Sequence, residues 1–156
     1  RMKTALYVAT VARTYRKALD DLEKGREVYE QNLPWYEQQI TGCTYRRFTT
    51  GFFYGKPDEN SQIYDSNTYE KDYVYLGIAG QPDADGVFDL EQRNKFSVGE
   101  TIEIMKPDGR NIEVTVEHIQ DLEGNEQESA PHAKQALKVK LSSAPEAMDI
   151  LRRKDF

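Results

Sequence analysis

Thr4, Val8, Val11, Tyr15, Ala18 and Leu22 recur at helical spacing and form one apolar stripe. The stripe predicts an amphipathic helix whose core face it is, with Gly25 as the C-cap. A second, less apolar stripe runs down the opposite side of the first half: Met2, Leu6 and Ala9, with Arg13 continuing the line. A surface helix needs one apolar stripe. Met2, Leu6, Ala9 and Arg13 are therefore expected to contact a further domain, or to self-associate in its absence. Arg1 has no capping residue before it, as though the chain were cut within an element. Val28, Leu33, Trp35, Tyr36 and Ile40 predict more helix over 26–40, broken by Pro34 into two short pieces.

Residues 41–72 show no regular period. A linker would be poor in aromatics, yet this stretch holds Tyr45, Phe48, Phe52, Phe53, Tyr54, Tyr64 and Tyr69, so it is expected to pack on something. From Tyr73 the period becomes two. Strand candidates are 73–79, 87–91, 102–104, 112–116 and 137–141, with turns at Gln81–Gly86, Lys106–Gly109 and Leu122–Asn125. Ile150 and Leu151 are expected to cap one end. Short strands at near-regular spacing predict a small antiparallel barrel or sandwich. The organisation is then α+β: a helical segment over 1–40, an aromatic-rich connection over 41–72, and a β-barrel domain over 73–156.

Charge divides the chain. Residues 1–56 hold ten Lys/Arg against six Asp/Glu, and residues 57–156 hold eleven against twenty-one. An anionic partner would meet the basic front rather than the acidic back. No run of 18 apolar residues exists, which excludes a spanning helix. The single cysteine, Cys43, cannot make an internal disulfide or a thiolate metal site, and fits a reducing cytoplasm.

The chemistry of catalysis is thin. His118 and His132 read as surface or satisfied positions, and no HExxH, GxSxG or Cys-His signature is present. Arg46 and Arg47 lie near Cys43, which reads as an inert thiol. Gly51, Gly55 and Lys56 have the wrong spacing for a phosphate loop, and Pro57 removes a donor. No catalytic, cofactor-binding or metal residue is assigned. Arg46, Arg47 and Lys56 bracket Phe52 and its aromatic neighbours. Cations among aromatics suit RNA, with charge for phosphate and rings for unstacked bases. The same rings would serve as packing anchors against another domain.

Several stretches together resemble one family. Residues 2–18 (MKTALYVATVARTYRKA), 49–57 (TTGFFYGKP), 91–99 (EQRNKFSVG) and 130–132 (APH) resemble the collagenase-like peptidases of family U32, in order and over nearly the whole chain. The resemblance implies a preceding catalytic domain, of TIM-barrel type, as the partner of this chain. It implies that the C-terminal barrel is similar to the second domain of translation elongation factors. It also implies one of two activities for the parent protein: collagenolysis, or prephenate-dependent hydroxylation of a tRNA uridine with an iron–sulfur cluster. The sequence around Thr49 is closer to the second branch. The chain would then be a non-catalytic accessory portion that docks on the catalytic domain and helps hold tRNA. The alternatives are an accessory domain of a peptidase and a purely structural module.

Overall fold

The computed structural model describes residues 3–43, 52–56 and 72–155. Three helices open it: α1 (Ala5–Lys24), α2 (Arg26–Gln31) and α3 (Leu33–Thr41). Thr4 caps α1, its hydroxyl accepting from Tyr7 N at 3.3 Å. Gly25 closes α1 at φ 139°, a backbone region that favours glycine, and its N–H returns to Leu22 O. The break expected near Pro34 falls at Asn32. Pro34 sits in the first turn of α3, where its missing N–H costs no helical hydrogen bond.

Asp21 joins the three helices. Its buried carboxylate accepts from Lys17 (2.6 Å), Lys24 (3.0 Å), Asn32 Nδ2 (3.0 Å) and the Tyr36 hydroxyl (2.8 Å). Burial alone would raise the carboxyl pKa. The hydrogen bonds from Lys17, Lys24 and Tyr36 outweigh burial and hold it well below the usual carboxylate range. Burial and the Asp21 carboxylate push the Tyr36 phenol up to about 12.

Six strands follow: β1 (Tyr73–Ile78), β2 (Val87–Glu91), β3 (Thr101–Met105), β4 (Asn111–Gln120), β5 (Ala136–Leu141) and β6 (Ile150–Lys154). They form one antiparallel sheet in the order β1-β6-β3-β4-β5-β2. The expected barrel is corrected here: the ladder does not close. Among the described residues, its end strands meet through the isolated bridge Ala79–Leu90 and through Gly80 N–H to Asp89 O and Arg93 N–H to Leu76 O. Alternating burial looks the same in a curled sheet and in a closed one, so the pattern could not separate them. Ile150 and Leu151 are not an end cap either. They begin β6, which lies between β1 and β3.

The inner face carries the main core, with Leu76, Phe88, Phe96, Ile102, Ile104, Ile119, Leu137, Val139 and Leu151 all fully buried. β3 departs from alternation, because Glu103 and Met105 on its other face are buried as well. What covers that face is α1. Leu6 packs with Met105 and Ile150 in a second cluster, against which Ala9, Tyr73, Tyr75 and Ile78 rest.

Candidate functional site

The two faces of α1 are reversed relative to the sequence reading. Leu6 is 8 % exposed, and Thr10, Arg13 and Thr14 are buried. Leu6, Ala9 and Arg13 therefore face this chain's own sheet rather than a further domain. Met2 lies outside the described residues. The inward face is polar and mostly hydrogen-bonded, Arg13 Nε being buried without a partner. Thr14 Oγ donates to Thr10 O at 2.7 Å, and Thr10 Oγ donates to Met105 Sδ at 3.5 Å. Satisfied polar groups lose little on burial, so hydrophobic count alone picked the wrong face.

Arg13 is the centre of this junction. It donates to Lys106 O (3.0 Å), Arg110 O (3.4 Å) and Gln39 Oε1 (2.5 Å). Gln39, on α3, also accepts from Arg152 Nη2 at 3.4 Å. Arg152, fully buried on β6, pairs with Glu103 at 2.9 Å and lies 3.6 Å over the Tyr73 ring. Two guanidiniums thus share one amide oxygen, beside one buried carboxylate. Burial, and then repulsion from Arg152, lowers the Arg13 pKa to about 10. Arg13 therefore stays a cation at neutral pH, and with Gln39 and Arg152 it clamps the helices to the sheet. Burial also pushes the adjacent Cys43 thiol up, away from the thiolate a nucleophile needs.

A second polar knot ties the β3–β4 turn to the segment before β6. Lys106 Nζ lies 2.6 Å from Asp149 and 3.2 Å from Glu146. Burial opposes its charge, but the two carboxylates outweigh it and hold Lys106 above the usual lysine value. Sequence reading missed Gln39, Glu103, Asp149 and Arg152. Glu103 between Ile102 and Ile104 looks like an ordinary solvent-facing strand position, and nothing local marks it as covered.

The face of α1 predicted as core is largely open to solvent. Val8, Tyr15 and Leu22 are each half-exposed or more, as is Leu19 beside them, while Val11 and Ala18 are half-buried. Beside them a groove of about 380 Å³ opens between α1 and the α2–α3 arm, with Tyr15, Ala18, Tyr29, Leu33 and Ile40 in its walls.

Of the candidate RNA contacts, Arg46 and Arg47 lie outside the described residues. Phe52 and Lys56 stand in an exposed turn, where Phe52, Phe53 and Tyr54 are 78 %, 82 % and 83 % exposed. Phe53 and Tyr54 meet edge-on at 5.0 Å. Three adjacent exposed rings are not packing anchors against the described part of this chain. His132 is exposed, and His118 faces Glu126 at 3.8 Å with 60 % of its side chain in solvent. Among the described residues, no group of three or more His, Cys, Asp or Glu could hold a metal ion, and no helix is long and apolar enough to cross a membrane.

Residues 71–152, more than half of the chain, match the model of the peptidase family U32 C-terminal domain. The chain belongs to peptidase family U32. Residues 1–63 of this U32 chain match the model of the family itself. Its relatives include tRNA hydroxylation protein P1 of Bacillus subtilis, 32% identical over 98% of this chain and 36% of that protein. Another is tRNA hydroxylation protein P of Escherichia coli, 32% identical over 84% of this chain and 28% of that protein. The U32 chain thus spans about a third of the length of the curated relatives it matches. A crystallised C-terminal domain from a Geobacillus thermoleovorans protein described as a U32 peptidase covers 53% of this chain and 92% of its own. Its identity is 29% and its TM-score 0.47.

Proposed function

We propose that this U32 chain is a non-catalytic C-terminal portion of a cytoplasmic tRNA-hydroxylating protein. In that role it docks on the catalytic domain and helps hold tRNA for uridine hydroxylation. The observation that supports this reading is the exposed turn of three aromatic rings beside Lys56, in a chain related over nearly its whole length to a tRNA hydroxylation protein. Rings in solvent are available to stack on unpaired bases, and the exposed Lys56 is available for a phosphate, to which Arg46 and Arg47 add positive charge in sequence. The acidic sheet is a poor surface for RNA.

In this reading the iron–sulfur cluster and prephenate belong to the catalytic domain. Cys43 is the sole cysteine of the chain and is buried, whereas a cluster needs several thiolates. The chain's own contribution is binding and positioning.

The test is tRNA affinity of the parent protein at several salt concentrations. Three phosphate contacts give a slope of log affinity against log salt near −2, at about −0.7 each for single-stranded RNA. Lys56→Ala, Arg46→Ala and Arg47→Ala should each make the slope shallower by one unit at most. Phe52→Ala should cost about 1–3 kcal/mol of binding with the slope unchanged. Its thermal melt should not move, because the ring is exposed. Unchanged affinity and slope in all four variants would remove the turn from the RNA site, leaving a structural module. Cleavage of gelatin by the parent, without tRNA affinity, would favour the peptidase alternative.

A further inference from the structure

Val8, Tyr15 and Leu22 fall seven residues apart on the outer face of α1, with the half-buried Val11 and Ala18 between them. That is the spacing of a seam that receives a second helix. Leu19 widens it on one side. On the other side the 380 Å³ groove against Tyr29, Leu33 and Ile40 extends it. Contiguous apolar side chains left in solvent from Val8 to Leu22 suit an interface.

The seam's flanks say what kind of partner fits. In a self-selecting coiled coil, charged residues beside the seam set partner and register. Here those positions are Ala12 and Leu19 on one side and Tyr7, Thr14 and Asp21 on the other. Asp21 is the only charge among them, and it is buried and satisfied within the helical arm. A seam without charge selection suits a partner held close by the same backbone, where the effective concentration is high. Two further observations point the same way. The helices match the main U32 model rather than the C-terminal domain model. The relatives extend well beyond the part this chain matches, 36% and 28% of their lengths.

We propose that the outer seam of α1, with its adjoining groove, is the docking site for an amphipathic helix of the U32 catalytic domain in the same polypeptide. This rests on reading the chain as a portion of a longer U32 protein. The occupant presents apolar residues at matching three- and four-residue intervals and carries no complementary charge row. Because the inward face of α1 is clamped through Arg13 and Gln39, the seam would tie the sheet to the catalytic domain through a single helix.

The test is thiol accessibility. Leu19→Cys, and Glu113→Cys as an exposed control, are placed separately in this chain and in the longer U32 polypeptide, and maleimide labelling is timed. Labelling is read at each position by peptide mass spectrometry, so that neither the buried Cys43 nor any cysteine of the catalytic domain enters the rate. In the isolated chain, positions 19 and 113 should label equally fast. In the longer polypeptide, without tRNA, position 19 should label at least about tenfold more slowly while position 113 is unchanged. Equal labelling at position 19 in both contexts would overturn the proposal. So would protection in the isolated chain that is lost on dilution, which means a second copy, or protection that appears only with tRNA, which means RNA covers the seam. Protection without any tRNA affinity would support the seam while removing the RNA role, so the two readings fail separately.

Discussion

Leu6 and Leu19 lie on the same helix and on opposite faces, which makes them a paired test of the reversed orientation of α1. Leu6 is 8 % exposed and packs with Met105 and Ile150, whereas Leu19 is 56 % exposed. Truncating a buried leucine to alanine costs about 2–5 kcal/mol, the transfer of its methyl groups plus the cavity left behind. Leu6 stands in the first turn of α1, where the helix end can shift to fill space, so about 2–3 kcal/mol is expected. For a chain of this size each kcal/mol moves Tm by about 2–4 °C, so Leu6→Ala should lower Tm by roughly 5–10 °C. Leu19→Ala removes a side chain already half in water and installs the best helix former, so its effect should stay within about 0.5 kcal/mol. Melts followed by circular dichroism and by Trp35 emission provide the assay. Trp35 is the only tryptophan and lies beside the β3–β4 turn, where a Cβ on Gly109 would come within 3.3 Å of its ring. Its emission therefore reports docking of the helical arm on the sheet. A Leu19→Ala shift as large as that of Leu6→Ala, at a protein concentration where the chain is monomeric, would refute the orientation and restore the apolar stripe to the core.

Glu103→Gln should destabilise the chain by about 3–5 kcal/mol, since it leaves Arg152 buried without its carboxylate. The double variant Glu103→Gln/Arg152→Met should be less costly than the single one in urea unfolding, and equal or greater cost would show that the pair is not coupled. Gly77→Ala should cost about 1–3 kcal/mol in the same assay. Its Cβ would meet Leu90 Cδ1 at 2.5 Å and the backbone oxygen of Glu91 at 2.9 Å, at the bulge of β1. Asp21 sets a pH dependence. Its folded pKa lies below its unfolded value near 3.9, so its contribution is present above that value and is lost as pH falls through the folded pKa. Asp21→Asn should be less stable than the parent by about 2 kcal/mol at pH 7, and the gap should narrow below about pH 4. A gap constant down to pH 2 would mean the carboxylate is not ionised against Lys17 and Lys24.

Local rules in the sequence were enough for the elements themselves. Period-two alternation marked Tyr73–Ile78, Val87–Glu91 and Ala136–Leu141 because each strand has one face on a common core. Gly25 and Pro34 marked helix ends because backbone geometry is a property of the residue. Family membership was also legible, in ordered stretches along the whole chain. Three matters depended on which surfaces meet. β6 was missed because Arg152 and Arg153 break its alternation, and Arg152 is tolerable inside only where Glu103, Gln39 and Tyr73 converge on it. That β1 and β2 meet only through the Ala79–Leu90 bridge and its neighbouring hydrogen bonds, not through a full ladder, depends on how far the sheet curls, which alternation does not encode. The orientation of α1 was decided by hydrogen bonding across long sequence distances. Arg13 reaches Lys106 and Gln39, and Thr10 reaches Met105, so the more polar stripe goes inside and the more apolar one is left for a partner. Apolarity along a helix is a property of the sequence. Which polar groups find partners is a property of the fold, and here it outweighed apolarity in choosing the buried face.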